Sequence, residues 1–521
     1  MQSGEIFAAI DAGSYELAMK IFEFSKKRGV KEIDHITHRI DLGTETYATG
    51  HIPEHHVQEL SQILKEYRGI MKEYGVSACR ACGTSAFRET ADVDIVINRL
   101  KSETGITVEI LSNSEQRFLN YKAVALRGEE FDKVIEKPTA ILDLGGGSLQ
   151  LSIFDNDKLV ATQNMRLGIL RMQRALMTLN ASATALRPML KELTSSHIWG
   201  FKKMYLRERR VRNLILIDDY LAPYLNQHHI GKMKNGHTGY EDFAAFLEKA
   251  QKMPRLEAAE FLNIPVERLP LVEIAAYLIE DIAQRLEAES LWAPGVTLCD
   301  GIAFDVAERK KYLRAAHDFD KDIIACAQNM SKRYMGSRKR TEAVGKVALS
   351  VFDAMKKMHG LGKRERLLLQ IAALLNDCGK YISMLNMAES AYHIIMSTEM
   401  IGLSHREREI VANVVRRTHR TEDDVALVSY RAKMPDPEDN LIIAKLTAIL
   451  GVARALDRTH TLKFKDVDVR LRDDELVLTV DSRQDFAIER GMLVKRAELF
   501  TEVYGVTPLL RQKTGKKRAE T

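Results

Sequence analysis

Residues 141–154 read ILDLGGGSLQLSIF. Asp143 ends a short apolar run. Gly145, Gly146, Gly147 and Ser148 follow, and then apolar and polar residues alternate through Gln150. Glycines in such a turn reach positive φ and let a phosphate approach the main-chain N–H groups. An aspartate beside the turn can hold Mg²⁺ directly or through water. The arrangement occurs twice. IFAAIDAGSYELAMKIFE (6–23) lies on AILDLGGGSLQLSIFD (140–155) without a gap, Asp11 over Asp143, Gly13 over Gly145, Leu17 over Leu149 and Ile21 over Ile153. Each copy reads as strand, Asp-x-Gly turn, strand. Two such hairpins facing across a cleft would grip a phosphoanhydride from both sides, with Gly13 and Ser14 from one and 145–148 from the other. Gln150 is an amide where an acid would serve the metal, although an amide can still orient a water.

Between the copies, Pro53 opens a helix with Val57, Leu60, Leu64, Tyr67 and Met71 on one face. CRACGTSAFRET (79–90) then brings Thr84, Ser85 and Arg88 together, two hydroxyls and a guanidinium suited to clamping phosphate. Glu115 follows a strand at Val108–Leu111 and opens another helix. It has two readings: a base that takes a proton from an attacking water, or a helix N-terminal acid favoured by the dipole.

These segments sit in a chain of 521 residues, enough for three or four domains. Hydrophobic residues make up 45% and charged residues 29%, the balance of a globular protein with ample core. No apolar run reaches the roughly 18 residues of a membrane span, and the N-terminus lacks a secretory pattern. Five cysteines without a framework suit a reducing cytoplasm. Cys79 and Cys82 form a lone CxxC that reads as two small residues near a strand. The net charge of +5 is modest, and the basic runs at 207–212, 337–340 and 511–518 read as solvated surface, though a polyanion would suit them.

AAIDAGS, GTSAFRE, ILSNSEQRF, ILDLGGGS and RLGILRM (166–172) together resemble the exopolyphosphatase/guanosine-pentaphosphate phosphohydrolase (Ppx/GppA) family. HGLGKRERLLLQIAALLNDCGKYIS (359–383), GLSHREREIVA (402–412) and AILGVARALDRTH (448–460) resemble the helical HD-type domain of its longer members. The resemblance implies an α/β plus α fold: a duplicated ribonuclease-H-like core of the actin-like ATPase superfamily, then an all-α HD-type domain and a small α+β C-terminal domain. The expected boundaries are 1–125 and 126–310 for the two halves, 311–460 for the helical domain and 461–521 for the last, with a hairpin around Asp473-Asp474 and a disordered basic tail. A sugar kinase or Hsp70-like relative is the rival, but an adenosine-binding glycine motif is missing.

The same resemblance implies Mg²⁺-dependent removal of terminal phosphate from inorganic polyphosphate or guanosine pentaphosphate in the cytoplasm. Glu115 would be the base and Arg88 its catalytic partner. Asp11 and Asp143 would serve the metal. Gly13, Ser14, Thr84, Ser85, Gly145, Gly146, Gly147, Ser148 and Gln150 would hold phosphate. No membrane or specific nucleic-acid partner is expected, and a homodimer stays open.

Departures from the family pattern favour an alternative, a weakened regulatory paralogue that binds polyphosphate or guanosine tetra/pentaphosphate. Tyr15 and Glu16 replace the last two residues of Asp-x-Gly-Ser-Asn-Ser, and Gln150 replaces an acid. Only the first of the adjacent acids in ILSGEEEA survives, as Glu115. No glycine occurs between Gly200 and Gly231, and DGIAFDVAE (300–308) lacks the family's arginine. In the helical domain the His-Asp doublet is Asn376-Asp377, no histidine lies between Asp318 and Met358, and Glu389 stands for a later histidine. That domain therefore reads as structural, with His393, His405 and His419 as surface or capping residues. The trio His51, His55 and His56 at a helix start reads the same way.

Overall fold

The computed structural model describes residues 4–180, 182, 185–206, 208–227, 235–419, 434, 436–457, 459–464 and 466–513. The chain divides into two compact units, Met1–Phe319 and Asp320–Thr521.

The first unit holds two sheets. Strands β1 (Glu5–Ala12), β2 (Glu16–Ser25), β3 (Gly29–Arg39), β4 (Ala78–Gly83) and β5 (Val108–Ile110) lie in the order β3-β2-β1-β4-β5. Strands β6 (Thr139–Leu144), β7 (Leu149–Phe154), β8 (Leu159–Met165), β9 (Asn213–Asp218), β10 (His237–Gly239) and β11 (Ser290–Trp292) lie in the order β10-β11-β9-β6-β7-β8. Without the short antiparallel edge strand β10, the second order repeats the first. In each sheet three antiparallel strands are followed by two parallel ones. This is the duplicated ribonuclease-H-like core that the family resemblance implies.

The sequence dictates which strands are central. Every residue of β6 and β7 is buried, as expected of near-continuous apolar runs covered on both faces. The edge strand β3 carries charged and polar residues outward, which keeps its free edge from pairing with another chain. Register keeps the two hairpins equivalent: Asp11 lies opposite Ala18, and Asp143 opposite Gln150. Cys79 is exposed and Cys82 is buried, three positions apart on β4 and so on opposite faces; they do not form a joint site.

Five helices position the cleft residues: α1 (Leu42–Thr49), α2 (Glu54–Glu73), α3 (Asn113–Ala125), α4 (Ile169–Thr178) and α5 (Leu298–Arg309). Helix α2 buries Val57, Leu60, Leu64, Tyr67 and Met71, the stripe read from its 3.6-residue period.

The second unit is mainly helical, with long helices at Arg338–Ala354, Lys363–Leu375, His405–His419 and Pro437–Ala455. A small sheet closes it: β12 (Val467–Arg472), β13 (Glu475–Asp481) and β14 (Thr507–Lys513), with helix Ala487–Tyr504 between the last two. Asp473 takes positive φ in the expected hairpin turn. The basic tail departs from expectation, because Arg511–Lys513 pair in parallel with β13. Residues 514–521 lie outside the described residues.

Arg340 lies within 318–358, the stretch without a histidine. It is 5% exposed, and its guanidinium pairs with Asp377 and, at 2.8 Å, with Asp457. Lys380 adds a third contact, 2.9 Å from Asp377. Asn376 accepts through its carbonyl from the His419 ring, whose other nitrogen lies 3.1 Å from Arg454. Burial, and then Arg454, push the His419 pKa down to about 2. Glu389 pairs with Arg416 at 2.6 Å. His393 and His405 are exposed.

Candidate phosphate-binding site

Both Asp-x-Gly turns face one cavity of about 260 Å³. They close with the same bond at equivalent positions: the Gly13 N–H donates to the Glu16 carbonyl at 3.0 Å, and the Gly145 N–H to the Ser148 carbonyl at 3.0 Å. Around the first turn the Ser14 hydroxyl lies 2.7 Å from the Tyr47 hydroxyl and 2.8 Å from that of Ser85. The Thr84 N–H donates to the Ala12 carbonyl at 3.1 Å. The second turn reaches this same cluster. A Cβ on Gly147 would lie 2.7 Å from the Ser85 hydroxyl, too close for any side chain. Glycine is required here by close approach. Arg171 of α4 fixes the turn from outside, donating to the Gly147 carbonyl at 2.8 Å, pairing with Glu89 and stacking 4.4 Å over Tyr47.

Two arginines line the cavity from the first half. Arg88 donates to the Leu111 carbonyl at 2.8 Å and to the Gln116 side chain at 3.0 Å. Arg117 pairs with Asp143 and donates to the Ser148 hydroxyl at 3.0 Å. Gly13, Ser14, Thr84, Ser85, Gly145, Gly146 and Ser148, read as phosphate-binding from the sequence, all line this cavity.

The expected acids are arranged differently. Glu115 is not among the lining residues. It is the third residue of α3, and its carboxylate accepts from the Ser112 N–H at 2.9 Å while the Ser112 hydroxyl accepts from the Glu115 N–H at 3.2 Å. Ser112-x-x-Glu115 is thus a reciprocal capping box, which holds the carboxylate against its own helix end. This geometry favours the other reading of Glu115, a helix-terminal acid. The next residue, Gln116, faces the cavity with an amide. Gln150 is also displaced from its expected role. It is 3% exposed, lies outside the lining and donates to the Ser152 hydroxyl at 3.3 Å.

The expected metal pair separates as well. Asp143 has both carboxylate oxygens taken, one by Arg117 and one by Asn120 at 2.7 Å. A carboxylate so neutralised is not a fitting Mg²⁺ ligand. Asp11 fits. It lines the cavity, its Oδ1 is buried with no hydrogen-bond partner, and its pKa stands well above the usual carboxylate value. Burial is the main cause, and the charges of Asp219 and Glu16 add to it. Mg²⁺ is commonly held by one or two carboxylates plus substrate phosphates, so one fitting aspartate is compatible with it.

Several cavity residues escaped the sequence reading. Asp219 occupies the segment from which glycine is missing. Asp218 before it caps the following helix, accepting from the Tyr220 and Ala222 N–H groups at 2.8 and 3.1 Å, and burial pushes its pKa up to about 6. Asp219 is solvent-exposed and lines the cavity. Glu16 lines it too, 3.4 Å from Arg268. Tyr15 packs against Tyr220 with ring centroids 6.1 Å apart. The Asp218-Asp219 doublet directly after a buried strand is the signal that could have directed attention there.

A duplicated α/β core with two Asp-x-Gly turns around one cleft defines a phosphoryl-handling protein of the actin-like ATPase architecture. Residues 23–310 match the model of the Ppx/GppA phosphatase family, and residues 324–502 match Ppx/GppA phosphatase domain III. The chain belongs to the Ppx/GppA phosphatase family, a family of phosphoanhydride hydrolases. It is 19% identical over 426 residues to the guanosine-5'-triphosphate,3'-diphosphate pyrophosphatase of Photobacterium profundum, covering 79% of this chain and 80% of that protein. Among solved structures, an exopolyphosphatase from Cytophaga hutchinsonii is 21% identical with a TM-score of 0.51, covering 58% of this chain and 98% of that one. An exopolyphosphatase-like protein is 19% identical with a TM-score of 0.51, covering 60% and 100%. No described helix is long and apolar enough to cross a membrane.

Proposed function

We propose that this protein takes the end of a linear phosphoanhydride, inorganic polyphosphate or guanosine pentaphosphate, into the cleft and hydrolyses its terminal phosphate. One observation carries the reading: two identically closed glycine turns face a single cavity lined by Arg88 and Arg117. Turn N–H groups and the Ser14, Thr84 and Ser85 hydroxyls would receive phosphate oxygens. The Arg88 guanidinium would offset part of the charge spread over the transferred phosphoryl, while Arg117, already paired with Asp143, would hold the second turn in place. Mg²⁺, held by Asp11, would supply further neutralisation of that charge. Five free cysteines, four of them buried, support a reducing, cytoplasmic setting.

The base in this reading is Asp219 rather than Glu115. Of the carboxylates lining the cavity, Glu16 is paired with Arg268 and Asp11 serves the metal, while Asp219 is exposed to the entering water. As the water oxygen bonds to the terminal phosphorus, the bridging P–O bond breaks and the shortened chain departs as an anion. The water proton passes to Asp219.

A specific observation favours a second reading, a phosphate-binding regulator. Amides stand at Gln116 and Gln150, Glu16 is paired with Arg268, and Glu115 is held in a cap. The two readings separate in one experiment. Phosphate release from long polyphosphate and from guanosine pentaphosphate is measured with Mg²⁺, beside equilibrium binding of both. Hydrolysis predicts release that Asp219→Asn lowers by about 10²–10⁴ while binding persists. Tight binding with release at the no-protein background would instead establish the regulator.

A further inference from the structure

We propose that Glu45, His55 and His56 form a site for a zinc-class divalent cation at the elbow between α1 and α2, outside the phosphate-lined cavity. Among the described residues, these three are the one group of histidine, cysteine or acidic side chains whose ligand atoms all lie within 4.8 Å of one another. The His55 Nε2 is 3.8 Å from the Glu45 carboxylate, and the His55 and His56 rings lie with centroids 4.2 Å apart.

The chain builds this proximity rigidly. Gly50 ends α1 with φ at 77°, its N–H donating to the Thr46 carbonyl at 2.8 Å. Its carbonyl accepts from the Ala91 N–H at 2.9 Å. Ile52 is buried and Pro53 caps α2. Four residues, 50–53, therefore turn the chain so that Glu45 of α1 meets the first turn of α2.

A carboxylate also stands behind one of the imidazoles. The His56 Nδ1 lies 3.2 Å from the Glu59 carboxylate, one helical turn on. That bond sets the ring's orientation and leaves Nε2 as the free ligand nitrogen, the carboxylate–histidine–metal arrangement that raises ligand basicity. Two imidazoles and one carboxylate, with a fourth position open to water, are a zinc-type donor set. Such donors suit Zn²⁺, Cu²⁺ or Ni²⁺ and discriminate against Mg²⁺. Zinc bonds of about 2.0–2.1 Å in a tetrahedron put ligand atoms about 3.3 Å apart. The 3.8 Å pair needs to close by only about half an ångström, and both side chains are exposed enough to move.

The site bears on the cleft through one residue. Tyr47 lies two positions after Glu45 on α1, and its hydroxyl bonds Ser14 and Ser85. A cation joining α1 to α2 would brace the helix that carries this hydroxyl.

The test is calorimetric titration of the full-length, untagged protein with Zn²⁺ in excess Mg²⁺. One equivalent is expected to bind and to raise the melting temperature. The double variant His55→Ala/His56→Ala should lose that binding. Glu59→Gln, which touches no metal, should weaken it about 10-fold or more. Circular dichroism checks that each variant folds. Zn²⁺ affinity equal in wild type and double variant, or the absence of binding in wild type, would overturn the site. Neither result depends on whether the cleft hydrolyses phosphoanhydrides.

Discussion

The Arg117 guanidinium is buried against Asp143 and spans the two halves of the core, from the second turn of α3 to the end of β6. Arg117 is 3% exposed and Asp143 5% exposed. Asn120, one turn further along α3, takes the second carboxylate oxygen. A helix of one half thus supplies the counter-charge of the other half's phosphate turn. Removing one partner strands a buried charge, which typically costs about 3–5 kcal/mol. Asp143→Asn and Arg117→Met should each lose stability on this scale in urea unfolding. The double variant should lose clearly less than the sum, because neither charge is then unpaired. Additive losses would show that the pair is uncoupled.

Glu115→Gln should leave function intact. Glutamine at this helix position can still accept from the Ser112 N–H, so the capping box survives in weakened form. Stability should fall by about 1 kcal/mol or less, with phosphate release or polyphosphate binding within about twofold of wild type. Loss of release with binding retained would return Glu115 to the role of base.

Asp11 predicts a pH signature. Its folded pKa lies above the unfolded value, so the native state binds the proton more tightly. In EDTA, stability should be greatest at low pH in this respect and fall as pH rises through the folded pKa, because ionising the buried carboxyl is unfavourable. Asp11→Asn should remove that fall and melt above wild type at neutral pH. Mg²⁺ should raise the wild-type melting temperature and leave that of Asp11→Asn unmoved. Equal Mg²⁺ responses would remove Asp11 from the metal's coordination.

Gly147→Ala should damage binding more than folding. The added methyl meets the Ser85 and Tyr47 hydroxyls and forces the two turns apart. Overpacking of this kind costs about 1–3 kcal/mol. Polyphosphate affinity should drop by about 10-fold or more, since 1.4 kcal/mol of lost phosphate contact is a factor of ten. Calorimetry with a defined-length polyphosphate measures it directly.

The backbone of the site was legible in the sequence because turns are local. Gly13, Gly145 and their aspartates announce two hairpins, and the gapless match of the copies foretold equivalent closures at Glu16 and Ser148. Side-chain direction was less legible. Glu115 and Gln116 differ by 100° around a helix, and only the cap at Ser112 decides which of them faces the cavity. The charge partners of Asp143 come from α3, 26 and 23 positions away in the chain, so its unsuitability for metal could not be read from its own hairpin. Asp219 was illegible for a third reason: an acid after a buried strand has no fixed spacing to either glycine turn, and only the fold brings it to the cavity they face.

Arg340 has a consequence for what the helical unit can bind. A salt bridge to both Asp377 and Asp457 makes the guanidinium a resident cation that no chelator can extract and no shortage of metal can deplete. It also closes the carboxylate pair to a metal ion. Replacing Arg340 by histidine alone would leave two buried carboxylates facing a ring that is largely neutral at pH 7, with Asn376 still offering an amide where a second imidazole is needed. Each single step toward a metal centre thus passes through a less stable protein, and only several simultaneous changes would reach it. The carboxylate pair is thus committed to a guanidinium and not to a metal ion.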